Sequence, residues 1–223
     1  MIKYVTVFIP TYNGEKYIAS TLDSLINQNL PKNYKIEILV TDSGSQDNTL
    51  DILKNYKDYI RLIIIPNKDY GHGRTRQKAA EMAKGEFILY LTQDATPTDK
   101  NWVMRMIEPF FINDKIGCVY GRQIPRPNAV PIIKREIQTV FNQFGITNQI
   151  VIHRKGSLIS PVNKDSGVCF FSDVNSAIRK DLSKTIPFRD IRYSEDQALA
   201  KDMFSHGYWI GYSPQGSVWH SNE

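Results

Sequence analysis

The sequence predicts an α/β fold in which a mostly parallel sheet is flanked by helices. Apolar runs of strand type alternate with stretches whose apolar residues recur at helical spacing, which is the pattern of successive βα units. Polar clusters directly follow several of the strand-like runs. The chain has 223 residues, of which 41% are hydrophobic and 23% charged, so it suits one substantial α/β domain or one domain with a large insertion.

The first half of the chain supplies four predicted strands and three predicted helices. The strands are predicted at residues 4–10, 36–41, 62–65 and 87–92, where β-branched and other apolar residues dominate. The helices are predicted from Ile18 to Ile26, around 50–56, and from 71–73 to Lys84 with Gly85 as the C-cap.

The second half departs from this alternation. We predict a helix with its apolar face at 102–110, a strand at 116–123, a helix opened by residues 193–197 and a short strand at 208–212. From 124 to 166 the βα pattern stops, and long irregular segments in compact domains are usually functional or disordered. One helical segment runs through Ile133, Ile137, Val140, Phe141 and Phe144.

That irregular stretch is also basic. Between Arg122 and Lys155 there are six basic residues and one acid, Glu136. A basic amphipathic segment can lie on a membrane surface or bind a partner, such as a substrate held at a membrane. The alternative, which we favour for the helix itself, is that its apolar stripe packs on the sheet.

Composition excludes several classes of protein. The net charge of +5 suits an anionic ligand or a membrane surface but does not single out nucleic acid, and we expect no nucleic-acid partner. Two cysteines in apolar surroundings, Cys118 and Cys169, favour a reduced cytosolic chain over a disulfide scaffold. No apolar run approaches the roughly 20 residues needed to span a bilayer, and the N-terminus leads directly into a strand rather than resembling a signal peptide.

The polar clusters predict a binding site at one edge of the sheet. They lie at 11–14, 42–45 and 93–94, each directly after a strand-like run, and ligands of open parallel sheets bind beyond the carboxyl ends of the strands. Asp94 can hold a divalent cation that bridges two phosphates, and Asp42 can accept hydrogen bonds from a base or ribose. The alternatives are that Asp94 caps a helix beginning near Asp99 or lies in a turn, and that Asp42 caps a helix or stabilises a turn.

Two common nucleotide signatures are missing from the sequence. The first strand is not followed by a G-x-G-x-x-G fingerprint, and residues 71–73 are too sparse and too late in the chain to serve as one. A phosphate loop of the Walker type is missing too. Both absences weigh against dehydrogenases and NTPases.

Several ordered motifs resemble family-2 glycosyltransferases of the GT-A type, which use nucleotide-sugar donors. They are VFIPTYNG at 7–14, VTDSGSQDNT at 40–49 and GEFI at 85–88. Within that family, HGRTR at 72–76, LTQDA at 91–95, YGRQ at 120–123 and FSDVNSAI at 171–178 resemble bacterial rhamnosyltransferases that build surface polysaccharides. The resemblance covers nearly the whole chain and implies a GT-A fold with an irregular acceptor-side insertion. One departure is that the family's usual Asp-x-Asp triplet reads Gln93-Asp94-Ala95.

The resemblance also implies roles for particular residues. Glu195-Asp196 matches the motif that supplies the catalytic base of inverting enzymes, and Asp196 takes that role here. His220 resembles a histidine that often completes the metal site with Asp94, for Mg²⁺ or Mn²⁺. Arg74 or Arg76 can add charge-assisted hydrogen bonds to the diphosphate or donor sugar. The nucleotide-sugar site is expected to comprise Pro10, Thr11, Tyr12, Asn13, Asp42, Gly71, Arg74, Gln93 and Asp94.

The resemblance implies an inverting sugar transfer to a glycan or lipid-linked acceptor, with rhamnose from dTDP-rhamnose as the expected donor sugar and a UDP- or GDP-sugar as the alternative donor. We expect a nucleotide-sugar-binding half at 1–123 and an acceptor-binding, catalytic-base half at 124–223. The expected location is cytoplasmic, at the inner face of the cell membrane. Two alternatives remain open: a sugar nucleotidyltransferase, although its Gly-rich basic phosphate loop is missing after the first strand, and a nucleotide-sugar-binding module without catalysis.

Overall fold

The computed structural model describes residues 1–144, 148–155 and 170–221. The described strands are β1 (Lys3–Thr11), β2 (Tyr34–Asp42), β3 (Ile60–Ile64), β4 (Phe87–Leu91), β5 (Thr96–Pro97), β6 (Ile116–Pro125), β7 (Val151–His153), β8 (Asn175–Arg179) and β9 (Trp209–His220). The described helices are α1 (Ile18–Ile26), α2 (Thr49–Lys54), α3 (His72–Met82), α4 (Trp102–Ile107), α5 (Pro131–Asn142) and α6 (Glu195–Ser205).

These strands form one mixed sheet in the order β3-β2-β1-β4-β8-β6-β9-β5, with β7 paired to β9. The first four strands are parallel to one another, as the βα alternation predicts. Strand β8 is antiparallel to both β4 and β6, and β9 then runs parallel to β6. The parallel half therefore ends at β4, and β8 joins it to the second half.

Alternation along the central strands sends side chains into two cores, one on each face of the sheet. Phe8 and Tyr90 lie in the core that contains residues of α3, α5 and α6. Val7 and Leu89 lie in the other core, which contains residues of α1 and α4. All four side chains are fully buried. Helices thus cover both faces, as predicted.

The predicted elements of the first half are confirmed, but the C-cap prediction for Gly85 is wrong. Helix α3 ends at Met82, and its C-cap is Ala83 in extended conformation. A Cβ atom on Gly85 would lie 2.4 Å from the backbone nitrogen of Thr6. Glycine is present there because the chain passes directly against β1, not because a helix ends at that residue.

The second half contains strands that the sequence pattern did not predict. Strands β5, β7 and β8 are short, and the predicted strand at 208–212 is part of the twelve-residue strand β9 that reaches His220. Helix α5 forms as predicted and packs Phe141 into the core, while Val130 and Ile132 at its start are more than half exposed. Within 124–166, residues 145–147 and 156–166 lie outside the described residues, as does Cys169; Cys118 is buried.

Candidate active site

Asp94 lies just beyond the carboxyl end of β4, where the sequence places it, and the fold brings His220 to it. Strand β5 pairs antiparallel with β9 so that Thr96 lies opposite Trp219. This register puts His220 Nε2 3.4 Å from Asp94 Oδ2. The N-cap of α4 is Asn101, so Asp94 does not cap that helix. The structure therefore joins the two predicted metal ligands in one place.

The surroundings of Asp94 favour its ionised form. Burial raises the pKa of the carboxyl group, but the hydrogen bond and charge of His220, with a hydrogen bond from Thr92, lower the pKa of Asp94 overall. Among the described residues no group of three or more His, Cys, Asp or Glu side chains could hold a metal ion. Asp94 and His220 thus form a two-donor site that needs oxygen ligands from elsewhere.

Gln93 connects the ends of β1 and β4. Its Oε1 accepts a hydrogen bond from the Tyr12 backbone N–H at 2.9 Å and another from the Thr11 hydroxyl, while its Nε2 donates to the Tyr12 carbonyl at 3.1 Å. A carboxylate could not make the last bond, because it has no hydrogen to donate. The amide thus explains the departure from the acidic triplet: position 93 ties two strands together.

Asp42 and Asn13 organise the neighbouring turns. Asp42 is fully buried, and its carboxylate accepts hydrogen bonds from the Gly44 and Ser45 backbone N–H groups and from the Ser45 hydroxyl. Asn13 Oδ1 accepts a hydrogen bond from the Gln46 N–H. The structure gives both side chains a turn-stabilising role, as the alternative for Asp42 proposed, and a direct contact of either with nucleotide stays a prediction.

A cavity of about 350 Å³ opens between these loops. Five residues predicted to bind the nucleotide sugar line it: Pro10, Thr11, Tyr12, Gln93 and Asp94. Arg76, predicted as one of two candidate arginines for the diphosphate or donor sugar, lines it too. Five further lining residues had no predicted role: Ser43, Asn67, Tyr70, His72 and Thr92. We call this space the donor cavity.

A second cavity, of about 420 Å³, adjoins the donor cavity and shares Tyr70 and His72 with it. Gly71 and Arg74 line this neighbour rather than the donor cavity, and Arg74 Nε lies 3.5 Å from Asp190 Oδ2. The remaining wall is formed by residues 190–193, just before the predicted catalytic base. We call this space the side cavity.

A larger cavity, of about 780 Å³, lies elsewhere. It is lined by residues such as Lys3, Gly85, Phe111 and Lys180, at the amino ends of β1 and β4. It contains none of the predicted site residues, whereas the two smaller cavities contain most of them. We therefore place the active site at the donor cavity and the side cavity.

Glu195 and Asp196 open helix α6 as predicted. Arg76 Nη1 donates to Glu195 Oε1 at 2.8 Å, and Arg76 also lines the donor cavity, so the start of α6 lies on the same side of the sheet as Asp94. Asp196 Oδ1 accepts the Gln197 N–H at 2.7 Å, and Oδ2 accepts the Asp173 N–H at 3.3 Å. The pKa of Asp196 is raised overall. Burial and the charge of Glu195 raise it by more than these two hydrogen bonds and the charge of Arg76 lower it.

Sequence reasoning missed the role of Asp173. It assigned Arg76 to the diphosphate, yet Arg76 is almost fully buried and its Nε lies 3.1 Å from Asp173 Oδ2. Asp173 sits two residues before β8, in a motif that the resemblance had singled out without giving it a role. The available signal was an acid close to the apolar residues Phe170, Phe171 and Val174, which predicts a buried partner of opposite charge.

These features define a class: a GT-A-like α/β fold with a cavity of about 350 Å³ at the carboxyl ends of its parallel strands and with Asp94 and His220 side by side at that cavity. Residues 6–186 match the family described as Glycosyl transferase family 2, and the chain belongs to that family. The predicted family and fold are thereby confirmed. The family and the relatives below are glycosyltransferases, and inversion is typical of the family.

Two relatives align over almost the whole chain. The O-antigen chain rhamnosyltransferase RfbN of Salmonella typhimurium is 28% identical over 98% of this chain and 66% of its own length. The O-antigen chain rhamnosyltransferase WbaN of Salmonella anatum is 30% identical over 97% of this chain and 66% of its own length. The chain thus spans slightly less than two thirds of these relatives.

Solved structures with the same fold contain nucleotide ligands. TarS 1–349 of S. aureus in complex with UDP superimposes with a TM-score of 0.69 at 25% identity, over 97% of this chain and 59% of that one. The mannosyltransferase PcManGT of Pyrobaculum calidifontis, in complex with GDP-Man and Mn²⁺, gives 0.71 at 18% identity, over 99% of this chain and 57% of that one.

Proposed function

We propose that this chain catalyses inverting transfer of a sugar, with rhamnose from dTDP-rhamnose as the expected donor, to a hydroxyl group of a glycan or lipid-linked glycan. The observation that carries the proposal is the position of Arg76, which lines the donor cavity beside Asp94 and contacts the start of α6. This contact supports a role for the donor cavity in which Asp94 holds a cation and the start of α6 supplies the base. The relatives RfbN and WbaN support rhamnose as the sugar.

The donor cavity suits the nucleotide. Its volume of about 350 Å³ lies at the lower end of the range typical of small-molecule sites, about 300–1,000 Å³. Tyr12 is 45% exposed beside Ser43 and Pro10, and so offers an aromatic face to a base. The Thr11 hydroxyl donates a hydrogen bond to Gln93 Oε1, and this bond fixes two of the side chains that line the cavity.

Asp94 and His220 would hold a divalent cation, Mg²⁺ or Mn²⁺. Ligand atoms of one octahedral cation lie about 3 Å apart, because each is about 2.0–2.1 Å from the metal, and the observed 3.4 Å fits this after a small adjustment. His220 Nδ1 is buried without a hydrogen-bond partner among the described residues, which leaves the ring free to adjust. When bound, such a cation supplies positive charge to the departing diphosphate.

Asp196 would act as the general base. It accepts the proton of the acceptor hydroxyl as that oxygen attacks the anomeric carbon and the bond from that carbon to the nucleoside diphosphate breaks. A raised pKa brings the carboxylate closer to neutral pH, where general-base catalysis is most effective and is typically worth about 10²–10⁴-fold. The displacement is direct, so no enzyme nucleophile is required.

The acceptor would enter through the side cavity. This cavity adjoins the donor cavity and ends at Tyr193, three residues before the base. Tyr193 is 69% exposed and stacks near Arg192, which gives the cavity an aromatic face for a sugar ring. Arg74 and Asp190 add polar groups that can bind hydroxyls.

Association with the inner face of a membrane is part of the proposal. Val130 and Ile132 are exposed at the start of α5, next to Lys134 and Arg135, and such apolar and basic residues together suit an anionic lipid surface. Among the described residues no helix is long and apolar enough to cross a membrane. Association would therefore be peripheral for this part of the chain.

The test is a donor screen. The chain is incubated with dTDP-, UDP- and GDP-sugars, with and without Mn²⁺, and release of nucleoside diphosphate is measured. We expect release from dTDP-rhamnose that depends on the cation. Cation-independent binding without release from any donor would instead indicate a binding module, and release of a nucleoside triphosphate from the sugar nucleotide and pyrophosphate would indicate a nucleotidyltransferase.

A further inference from the structure

One arginine and three acids form a buried cluster beneath the start of α6. Arg76, on α3, reaches Glu195 Oε1 at 2.8 Å and Asp173 Oδ2 at 3.1 Å. The side chains of Arg76, Asp173 and Glu195 are all less than a tenth exposed. The Asp173 backbone N–H in turn donates to Asp196 Oδ2 at 3.3 Å. The base is therefore connected to the arginine through Asp173 and through its neighbour Glu195.

The charges in this cluster do not balance. One guanidinium faces three carboxyl groups, and charges are screened much less inside a protein than in water. Uncompensated buried charge is expensive, so the cluster resists full ionisation. Burial raises the pKa of Asp173, and the nearby Asp196 adds to this, although Arg76 and a hydrogen bond from Ser176 oppose it. Ionisation of either Asp173 or Asp196 consequently disfavours ionisation of the other.

Other polar groups surround the cluster without adding a permanent charge. Ser176 Oγ donates to Asp173 Oδ1 at 2.6 Å, and the Tyr90 hydroxyl faces Asp173 and lies 3.5 Å from the Arg76 carbonyl oxygen. His72 Nδ1 lies 3.4 Å from Arg76 Nη1, and Tyr70 faces Arg76 and Glu195. Among these groups, Arg76 is the one that is always charged.

We propose that Arg76 and Asp173 are positioning residues that set the orientation and the charge of Asp196. Arg76 holds the first turn of α6 through Glu195 and favours an ionised Asp196 by its charge. Asp173 holds Asp196 through its backbone N–H, while its own carboxylate disfavours a second negative charge nearby. The two residues therefore act on the base in opposite electrostatic directions. This proposal rests on the role of Asp196 as the base.

Because Arg76 and Asp173 act on Asp196 in opposite directions, their removal should move the pH profile of the reaction in opposite directions. The pH dependence of kcat/KM is measured for release of dTDP from dTDP-rhamnose with water as acceptor. In Asp173→Asn, which keeps the backbone N–H, the acid limb should move to lower pH by about one unit; in Arg76→Gln it should move to higher pH by about one unit. One unit is about a tenfold change in rate on that limb. Arg76→Lys should return part of the shift.

The matched controls are Asp51→Asn and Arg61→Gln, two changes of the same kind at exposed positions outside the site. Both should leave the limb in place. A merely structural role would lower the rate at all pH values without moving the limb. If Arg76→Gln fails to fold, as judged by thermal melting, Asp173→Asn alone decides: a limb that stays or moves to higher pH overturns the proposal.

The direction in which Asp173 shifts the titration of Asp196 can also be measured without turnover. The ¹³C carboxyl resonance of Asp196, assigned by its loss in Asp196→Asn, is titrated in the wild type and in Asp173→Asn. A lower titration midpoint in Asp173→Asn supports the proposal, and an equal or higher midpoint overturns it. Absence of dTDP release in the wild type would count against the proposed function, while this titration would still test the positioning roles.

Discussion

Asp94 and Asp196 are both largely enclosed carboxyl groups, yet their pKa values move in opposite directions. Burial raises the pKa at both positions, but Asp94 faces His220 and Thr92, which lower it overall. Asp196 shares its surroundings with Glu195, and its pKa stays raised. Groups whose environments separate their pKa values are the usual sign of divided acid–base roles. The comparison supports the proposed roles, in which Asp94 holds charge and Asp196 accepts a proton.

The largest expected effect comes from removing the proton acceptor. Asp196→Asn keeps the size of the side chain but removes its basicity, so kcat should fall by about 10²–10⁴-fold while the Kd for the donor changes little. Nucleoside diphosphate release and calorimetry measure the two quantities, with Asp51→Asn as the control. Turnover at the wild-type rate would remove Asp196 from the role of base.

Removing the charge of Asp94 should weaken binding of the nucleotide-sugar donor. Asp94→Asn should weaken Mn²⁺-dependent binding of dTDP-rhamnose by at least about tenfold, since even the partners of metal ligands contribute 10–100-fold. Calorimetry in Mn²⁺ and in EDTA measures this difference. His220→Ala should behave in the same way, and donor binding equal in both solutions for the wild type would contradict a cation at this site.

The opposite pKa shifts predict that pH separates binding from turnover. As pH falls, Asp196 with its raised pKa is protonated first, so kcat/KM for transfer declines. Asp94 with its lowered pKa stays ionised to lower pH, so cation-dependent donor binding should persist in the window between them as far as the His220 imidazole stays neutral and able to bind the cation. Parallel pH series of kcat/KM and donor Kd measure the separation. Decline of donor binding at a higher pH than that of kcat/KM would contradict it.

A smaller effect, on stability, is expected when the hydrogen bonds between Gln93 and the end of β1 are altered. Gln93→Glu loses the hydrogen bond from Nε2 to the Tyr12 carbonyl and places a negative charge there, at a cost of about 1–2 kcal/mol in the free energy of unfolding. For a chain of this size that lowers Tm by roughly 2–8 °C. Gln46→Glu, at an exposed position, is the control. An unchanged Tm would show that the amide at position 93 is not a structural tie.

The two halves of the chain differ in how far the sequence predicts them. In the first half β1 pairs with β2 and β2 with β3, in each case across one helix, and β4 pairs with β1; every one of these strands is marked by local apolar periodicity. Strand β8 carries Asn175 and Ser176 at buried positions, and it joins β4 to β6 by pairing with both, which no local pattern shows. Long-range pairing rather than propensity decides such a strand.

The same distinction applies to the site. Asp94 was singled out because it directly follows a clear strand-like run, and Asp196 because it matches a motif of the family. The contact of Arg76 with Asp173 and Glu195 joins positions about a hundred residues apart, so spacing along the chain carries no trace of it. Likewise, the turn bonds that occupy Asp42 depend on the backbone of Gly44 and Ser45, and the sequence indicated them only as an alternative.

The anomeric configuration of the sugar in the first product tests the central claim of direct displacement most directly. It is measured by NMR on the product formed by the wild-type chain from a donor of known configuration. A single displacement predicts the configuration opposite to that of the donor. Retention of the donor's configuration would require a second displacement and would contradict the mechanism proposed here.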